Sequence, residues 1–406
     1  MGITFCNTNL QGLMKRFFLP TICMLFFFSA FGQERPLDTA ASQTIRVAVI
    51  APLYLDSIFT KSQLKNSRSI PKLTIPYLDF VQGAEIALDT VDLKGKKVEA
   101  HFFDSRSYDR PLSWLIKNGQ LQQMDLIIGA VKEPEYSTLA DFAKQKKIPF
   151  VSSIYPNDGG IKDNPYTLII NSTLKAHCES IYSYIVQKHG TDNIYLIKKK
   201  NDNRIDNYFR AINAASGKIP LLKIKTIMLD SSISTYGLSN LLDTLKPVVI
   251  IGASLDETFS IKLAQACYPL SKTNSITLIG MPNWDSFKDL YNKKTFPDFA
   301  IRYTTPHLDS KKNAFSNFLS DNYFKLYRSN PNDMAEKGFE TMFYFLNILI
   351  DYNKDVLNHM NEDSLACFHE FNFRPVMNSI GNEIDYYENK HLYIMKIMNG
   401  DSSWDW

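Results

Sequence analysis

DLIIGAVKEPEYSTLADFAKQKKIPFVSS, residues 125–153, combines a strand, a turn, a helix and a second strand in one short segment. Leu126 to Ile128 form an apolar run that ends at Gly129, as in a strand buried on both faces. Pro134 suits the first turn of a helix, and residues 148–153 form the next strand. This order predicts a right-handed crossover in a parallel sheet. Parallel sheets bind ligands beyond the carboxyl ends of their strands, so we expect a site at residues 129–133 and 152–155.

The bulk composition describes a globular protein of two domains. The chain has 406 residues, of which 45% are hydrophobic and 21% are charged. Its formal net charge is +3, and about +1 would remain without Lys15 and Arg16, which lie in a segment predicted to be removed. A charge so close to zero gives no support for a nucleic-acid partner.

Residues 1–32 resemble a secretory signal peptide. The basic pair Lys15-Arg16 precedes an apolar run from Phe17 to Phe31, and Ala30 and Gly32 supply the small residues before cleavage near Gly32-Gln33. Met14 stands directly before the basic pair, so translation could begin there, the alternative being a longer polar leader. The apolar run is too short to span a bilayer, and no later run qualifies. We therefore expect a soluble mature protein in the periplasm.

The second half of the chain repeats the pattern of the first half. VIIGA at residues 249–253 matches LIIGA at residues 126–130, because each is a buried strand that ends in a Gly-Ala turn before a helix. A further strand ends at Gly280. Two long helices follow, and Asn332 is a suitable N-cap for the second. These features predict an α/β fold of two doubly wound, mostly parallel lobes that face each other through their strand-end loops.

The sequence carries no signature of a cofactor or a catalytic centre. It contains no phosphate-binding glycine loop, no dinucleotide fingerprint, no metalloprotease helix and no nucleophile elbow. His359, Cys367 and His369 lack the spacing of a four-ligand zinc site, and His177 lies among apolar residues. Cys178, Cys267 and Cys367 are too few and too widely spaced for a disulfide framework. We predict no cofactor, no metal, no enzymatic activity and at most one bridged cysteine pair.

The order of these elements resembles the type I periplasmic binding protein fold, in its branched-chain amino-acid (leucine) binding branch. The resemblance runs from about Ile45 to Gly400 and rests on VAVIAPL at 47–53, LIIGAV at 126–131, IPFVSS at 148–153, VVIIGA at 248–253 and ITLIGMPNW at 276–284. It implies a hinge of three chain crossings, near residues 171, 303–304 and 351–354. Lobe one would comprise residues 45–170 plus 305–350, and lobe two residues 171–304 plus 351–400. The closing strands are similar to those of envelope members of the family without a characterised ligand.

The resemblance also implies which residues meet the ligand. In the amino-acid-binding proteins, hydroxyls and backbone N–H groups of lobe one hold the carboxylate and ammonium groups, and acidic or aromatic side chains of lobe two complete the site. The matching positions are Lys132, Glu133, Ser152, Ser153 and Tyr155 in lobe one, and Asn201, Asp202, Ser254, Asp256, Asn283 and Trp284 in lobe two.

The charged loop of lobe one and Trp284 each have two possible interpretations. Lys132-Glu133-Pro134-Glu135 replaces a run of Ser and Thr, which indicates either a ligand with a cationic or polar group or charges that simply cap and solvate the helix. Trp284 is either a stacking platform for a ligand or a packing residue of its lobe.

Together these observations predict a soluble periplasmic binding protein that closes two lobes over a small polar ligand such as an amino acid, for an ABC transporter permease or for sensing. The alternative is a non-catalytic envelope interaction module with a degenerate ligand cleft. A hydrolase would need an activated nucleophile, and the sequence shows none.

Overall fold

A computed structural model describes residues 3–5, 44–60, 63–65, 70–230, 232–308, 313–378 and 381–406. The predicted signal peptide lies outside these residues except for Ile3–Phe5. Among the described residues, no helix combines the length and the apolar character that a membrane crossing requires. Cys178, Cys267 and Cys367 are all buried and free, so none of them forms a disulfide.

The described residues form seventeen strands and eleven α-helices. The strands are β1 (Ile3–Phe5), β2 (Ile45–Ala51), β3 (Phe59–Thr60), β4 (Gln63–Leu64), β5 (Val98–Asp104), β6 (Leu126–Gly129), β7 (Phe150–Ser152), β8 (Thr167–Ile169), β9 (Asn193–Lys199), β10 (Ile224–Leu229), β11 (Val248–Ala253), β12 (Ile276–Ile279), β13 (Ile301–Thr305), β14 (Phe373–Met377), β15 (Ile384–Asn389), β16 (Tyr393–Met398) and β17 (Asp401–Trp404). The helices are α1 (Leu55–Ile58), α2 (Ile75–Thr90), α3 (Leu112–Lys117), α4 (Glu135–Lys146), α5 (Leu174–His189), α6 (Arg204–Ala215), α7 (Thr235–Ser239), α8 (Glu257–Ser271), α9 (Ala314–Tyr327), α10 (Asp333–Asp351) and α11 (Val356–His359).

The predicted α/β fold of two mostly parallel sheets is confirmed. The first sheet has the strand order β1-β5-β2-β6-β7-β8-β15-β14, and its strands from β5 to β15 pair in parallel. The second sheet has the order β10-β9-β11-β12-β13-β16-β17, and its strands from β10 to β13 pair in parallel. Every residue of β6 and β11 is buried, as expected for strands covered by helices on both faces.

The segment at residues 125–153 folds as its sequence predicts. β6 ends at Gly129, α4 begins directly after Pro134, and β7 pairs in parallel with β6. The matching segment of the second sheet places β11 beside β12 in the same way. The carboxyl ends of these strands define the edge of each sheet where a ligand would bind.

Helices α2 and α10 make the closest helix contact of the first core. The α-carbon of Gly83 lies against the carbonyl of Ala335, and that of Gly338 lies against the carbonyl of Phe80. A Cβ at either glycine would overlap these backbone oxygens. The absence of a side chain at both positions therefore allows the two helices to approach each other.

The chain passes from one sheet to the other three times, which forms the hinge of the two-lobed fold. The first passage joins β8 to α5, the second joins β13 to α9, and the third joins β15 to β16.

The third passage differs from the predicted one at residues 351–354. The first core includes Val356, Met360, Phe368 and Phe373, and β15 pairs in parallel with β8. Residues 356–378 and 381–389 therefore belong to the first lobe. These apolar residues follow α10 and are buried in the core of lobe one. The resemblance had placed the passage to lobe two directly after α10.

Candidate ligand-binding site

The two acids of the charged loop, Glu133 and Glu135, interact with other residues of lobe one. The carboxylate of Glu133 accepts hydrogen bonds from the Ser137 hydroxyl at 2.7 and 2.8 Å, and Glu135 is buried in an ion pair with Arg106. Lys132 is exposed. Both acids lie at the start of α4, where negative charge is favourable. This arrangement fits the capping interpretation of Lys132-Glu133-Pro134-Glu135.

The second loop of lobe one supplies hydroxyls that have no internal partner. Ser152 and Ser153 are buried, and among the described residues neither hydroxyl has a hydrogen-bond partner. Tyr155 is half-buried and packs against Tyr136, with ring centroids 4.7 Å apart. Because a buried unpaired hydroxyl is unfavourable, the two serines remain available to a ligand that reaches them.

The predicted residues of lobe two mostly hold that lobe together. Asp256 caps α8, accepts from the backbone N–H of Phe259 at 2.8 Å and pairs with Lys199 at 2.9 Å. These two interactions lower the pKa of the Asp256 carboxyl. Ser254 is buried, and its hydroxyl accepts from the backbone N–H of Asp256 at 3.1 Å. Asn201 and Asp202 lie in the turn after β9.

Trp284 and Asn283 tie the end of β12 to the end of β11. The indole N–H of Trp284 donates to the carbonyl of Ser254 at 3.0 Å, and the side chain of Asn283 donates to the carbonyl of Leu255 at 2.9 Å. Trp284 is 0% exposed and lies against Gly252 and Gly280. The structure thus supports the packing interpretation of Trp284.

A cavity of about 370 Å³ lies between the lobes, beside the passage from β13 to α9. It was not predicted, because its residues come from five separate segments of the chain. Lobe two contributes Asp285, Tyr291, Tyr303, Thr305, Met395 and Ser402, the passage contributes His307 and Leu308, and lobe one contributes Asp333, Glu336, Lys337 and His369. Its size is in the range of small-molecule sites.

His307 lines this cavity with an unsatisfied imidazole ring. Both ring nitrogens are buried, and neither has a hydrogen-bond partner among the described residues. The ring lies nearly perpendicular to that of His369, with centroids 5.0 Å apart. Burial lowers the pKa of His307 well below its ordinary value, and the nearby Lys337 adds to this effect. His307 is therefore a neutral imidazole with one donor and one acceptor unused.

Lys337 extends from the second turn of α10 toward the same cavity. Burial lowers the pKa of its ammonium, against the opposite effects of Asp333 and Asp285. Among the described residues, no carboxylate lies within 4 Å of this ammonium. Asp285 reaches the mouth of the cavity from lobe two, and partial burial raises its pKa. Lys337 thus has no ion-pair partner in the described part of the chain, and acids from both lobes line the same cavity.

His369 is held firmly, in contrast to His307. Its Nδ1 lies 2.7 Å from Oε2 of Glu340, and its Nε2 lies 3.2 Å from the carbonyl oxygen of Leu308. Burial opposes a charge on this ring, yet the Glu340 carboxylate and these hydrogen bonds raise the pKa of His369 above its ordinary value. His369 lines the cavity, and both of its ring nitrogens already have hydrogen-bond partners within the protein.

A second cavity of about 490 Å³ lies within lobe one alone. It is lined by the ends of β2 and β5 and by the start of α4, including Tyr54, Arg106 and Glu135. Its charged groups are paired with each other, and no residue of lobe two lines it. A ligand there would not join the two lobes, so the cavity between the lobes is the better candidate.

The buried ring of His177 should make the folded protein less stable in acid. The ring is buried, its Nδ1 lies 2.8 Å from the hydroxyl of Thr304, and burial lowers its pKa to about 3. The unfolded chain would gain a proton on this group below about pH 6.5, whereas the native protein would not. Between pH 7.5 and pH 5, His177 alone should therefore reduce the free energy of unfolding by about 2 kcal/mol.

Urea unfolding of the wild type and of His177→Asn at both pH values measures this effect. The asparagine variant should lose about 2 kcal/mol less stability than the wild type on acidification. His307 and His369 are present in both proteins, so their own contributions cancel in the comparison. Equal losses in the two proteins would show that His177 is not held neutral in the native state.

Several solved structures share this fold. No protein-family model matches the sequence, and no curated protein matches it. A putative branched-chain amino acid ABC transporter protein from Rhodospirillum rubrum is similar in structure, with a TM-score of 0.62, 12% identity and coverage of 89% of this chain and 99% of that chain.

Two further solved structures are similar. A branched-chain amino acid ABC transporter periplasmic ligand-binding protein from Burkholderia xenovorans has a TM-score of 0.54 and 14% identity, covering 89% of this chain and 94% of that one. An ABC transporter substrate-binding protein from Desulfitobacterium hafniense in complex with Leu has a TM-score of 0.52 and 13% identity, covering 89% and 100%. The chain shares the two-lobed α/β fold of these solved structures.

Proposed function

We propose that this protein is a periplasmic binding protein that closes its two lobes over a small polar ligand. The observation that carries the proposal is the cavity between the lobes, which Lys337 lines and in which both ring nitrogens of His307 have no partner among the described residues. The protein would act by reversible capture, without chemical change of the ligand. The fold of substrate-binding proteins supports this mode of action.

Closure follows from the position of the cavity. Asp285 belongs to lobe two, Lys337 belongs to lobe one, and His307 lies on the passage between them. A ligand that contacts all three would bind the closed arrangement better than an open one, and it would shift the population toward closure. The three passages between the sheets would act as the hinge.

The proposal includes a location and a transport role. The predicted signal peptide at residues 1–32 would deliver the mature chain to the periplasm, with cleavage near Gly32-Gln33. An ABC transporter permease or a sensor in the membrane would receive the loaded protein. Support comes from similar structures described as ABC transporter proteins, one of them in complex with Leu.

One observation favours the alternative of an envelope interaction module. Trp284 is packed inside lobe two, and the charges of the lobe-one loop pair within lobe one. The residues that resemblance assigned to the ligand are thus largely committed to the fold. Such a protein would use its surface, rather than its cleft, to bind another envelope component.

A thermal-shift screen separates the two functions. The panel comprises amino acids, small peptides and cell-wall fragments at millimolar concentration. A ligand at 100 times its Kd should stabilise the native protein by about 2.7 kcal/mol, which raises Tm by several degrees. No shift with any compound, together with an envelope partner that still binds after Lys337→Met and His307→Gln, would support the module instead.

A further inference from the structure

We propose that Lys337 and His307 together form a subsite for an anionic group, a carboxylate or a comparable small oxyanion. The inference rests on the proposed function and deepens it, because it names the chemical class of the ligand and its orientation. The anionic group would lie against lobe one, and the rest of the ligand would point toward Asp285 of lobe two.

The first argument is the unsatisfied state of the His307 ring. Both of its nitrogens are buried, and neither has a hydrogen-bond partner among the described residues. Lys337 is half-buried and lines the same cavity, and no carboxylate of the described residues forms an ion pair with its ammonium, which has three donors. Native proteins rarely leave buried polar groups without hydrogen bonds unless the site has another role. One oxyanion could accept from the lysine and from the imidazole N–H at once.

The second argument is the position of Lys337 in its helix. α10 has 19 residues, and Asn332 caps it by accepting from the N–H groups of Met334 and Ala335. The cap satisfies part of this terminus, but the helix dipole still adds positive potential in the first turns. An anion beside Lys337 would therefore experience both a full charge and a partial charge of favourable sign.

The acids around the cavity limit the ligand further. Asp285, Asp333 and Glu336 line the same space, and each would repel additional negative charge. Together they disfavour a polyanion, and Asp285 would favour an ammonium or hydroxyl group on the end of the ligand that points toward lobe two. The chemistry thus selects a small molecule with one anionic group and one donor group.

Ligand binding should be linked to proton uptake. The titratable groups around His307 are Lys337, Asp333 and Glu336 from α10, Asp285 from lobe two, His369 with its partner Glu340, and His177 from α5. In the free protein, burial and the neighbouring lysine keep His307 neutral. A bound anion would favour the protonated ring, so binding should be accompanied by proton uptake at His307. Affinity should therefore rise as the pH falls from 8 to 6.

The experiment uses matched probes on the intact mature protein. Calorimetric titrations compare L-amino acids with their carboxamides, and they include acetate, L-lactate and inorganic phosphate as simple anions. At least one free acid or simple anion should bind. An acid that binds should do so at least tenfold more tightly than its amide, and titrations in two buffers of different ionisation enthalpy should show proton uptake. The phosphate arm distinguishes a carboxylate site from a phosphate site.

Two variants and one control locate the binding. Lys337→Met should weaken binding of the acid probe at least tenfold, and His307→Gln should abolish the proton uptake. Lys325→Met removes an exposed lysine from the neighbouring helix α9 and should change neither property. Thermal melting without ligand confirms that each variant is folded.

The outcomes separate this inference from the proposed function. Binding of neutral or cationic compounds alone, equal affinity for an acid and its amide, or unchanged affinity in both Lys337→Met and His307→Gln would overturn the anion subsite and leave a ligand-binding function intact. Failure of every probe and of the wider screen would overturn both.

Discussion

Trp284→Ala is expected to lower the free energy of unfolding by about 3–5 kcal/mol, the effect of removing a large buried aromatic side chain. The indole is 0% exposed, and its N–H donates to the carbonyl of Ser254. The indole also packs against Gly252 and Gly280, where a Cβ would overlap its ring atoms. Alanine would leave a cavity and remove the indole hydrogen bond to Ser254, so lobe two should lose much of its stability. Urea unfolding measures the change.

Trp404→Ala is the matched control, because Trp404 is 63% exposed and its truncation should have little effect. Trp284→Phe should fall between the wild type and Trp284→Ala, since it restores part of the volume but not the N–H. A Trp284→Ala protein of normal stability that has lost ligand binding would contradict the packing role and restore the interpretation of Trp284 as a stacking platform.

Gly338→Ala is expected to lower the free energy of unfolding by about 3 kcal/mol, the upper part of the usual range for overpacking. The new Cβ would overlap the carbonyl of Phe80 in α2, and a backbone atom cannot move away unless the two helices separate. Gly83→Ala should have a similar effect, because its Cβ would meet the carbonyl of Ala335. Both variants are measured by chemical unfolding.

The double variant provides the control for this mechanism. One separation of α2 and α10 would make room for both new methyl groups, so the combined loss should be smaller than the sum of the two single losses. Strict additivity, or a loss below about 0.5 kcal/mol in either single variant, would show that the helices are not held by this contact.

The fold could be predicted from local sequence patterns because its central strands are buried on both faces. LIIG at 126–129 and VVIIGA at 248–253 are continuous apolar runs that end in a turn, and both form central parallel strands. Asn332 also caps α10 as predicted. The third passage was misplaced because the side chains that hold residues 356–373 in lobe one pack against distant helices, and no local periodicity records such contacts.

The candidate site is harder to predict, because its residues are ordinary in sequence. His307 and Lys337 are separated by thirty positions and meet only through the packing of the two lobes. Tryptophan is a residue type common in binding sites, yet Trp284 is buried because two glycines at the ends of neighbouring strands leave room for its indole. One signal was available, since His307 lies just after the predicted passage at residues 303–304, where a polar residue would face both lobes.

The most direct test of the account is a crystal structure with a compound that the screen identifies. The account predicts a closed arrangement with the compound between the lobes, its anionic group within hydrogen-bond distance of Lys337 and His307 and its other end near Asp285. A compound bound outside the cavity between the lobes, or bound there without contact to Lys337 and His307, would contradict it.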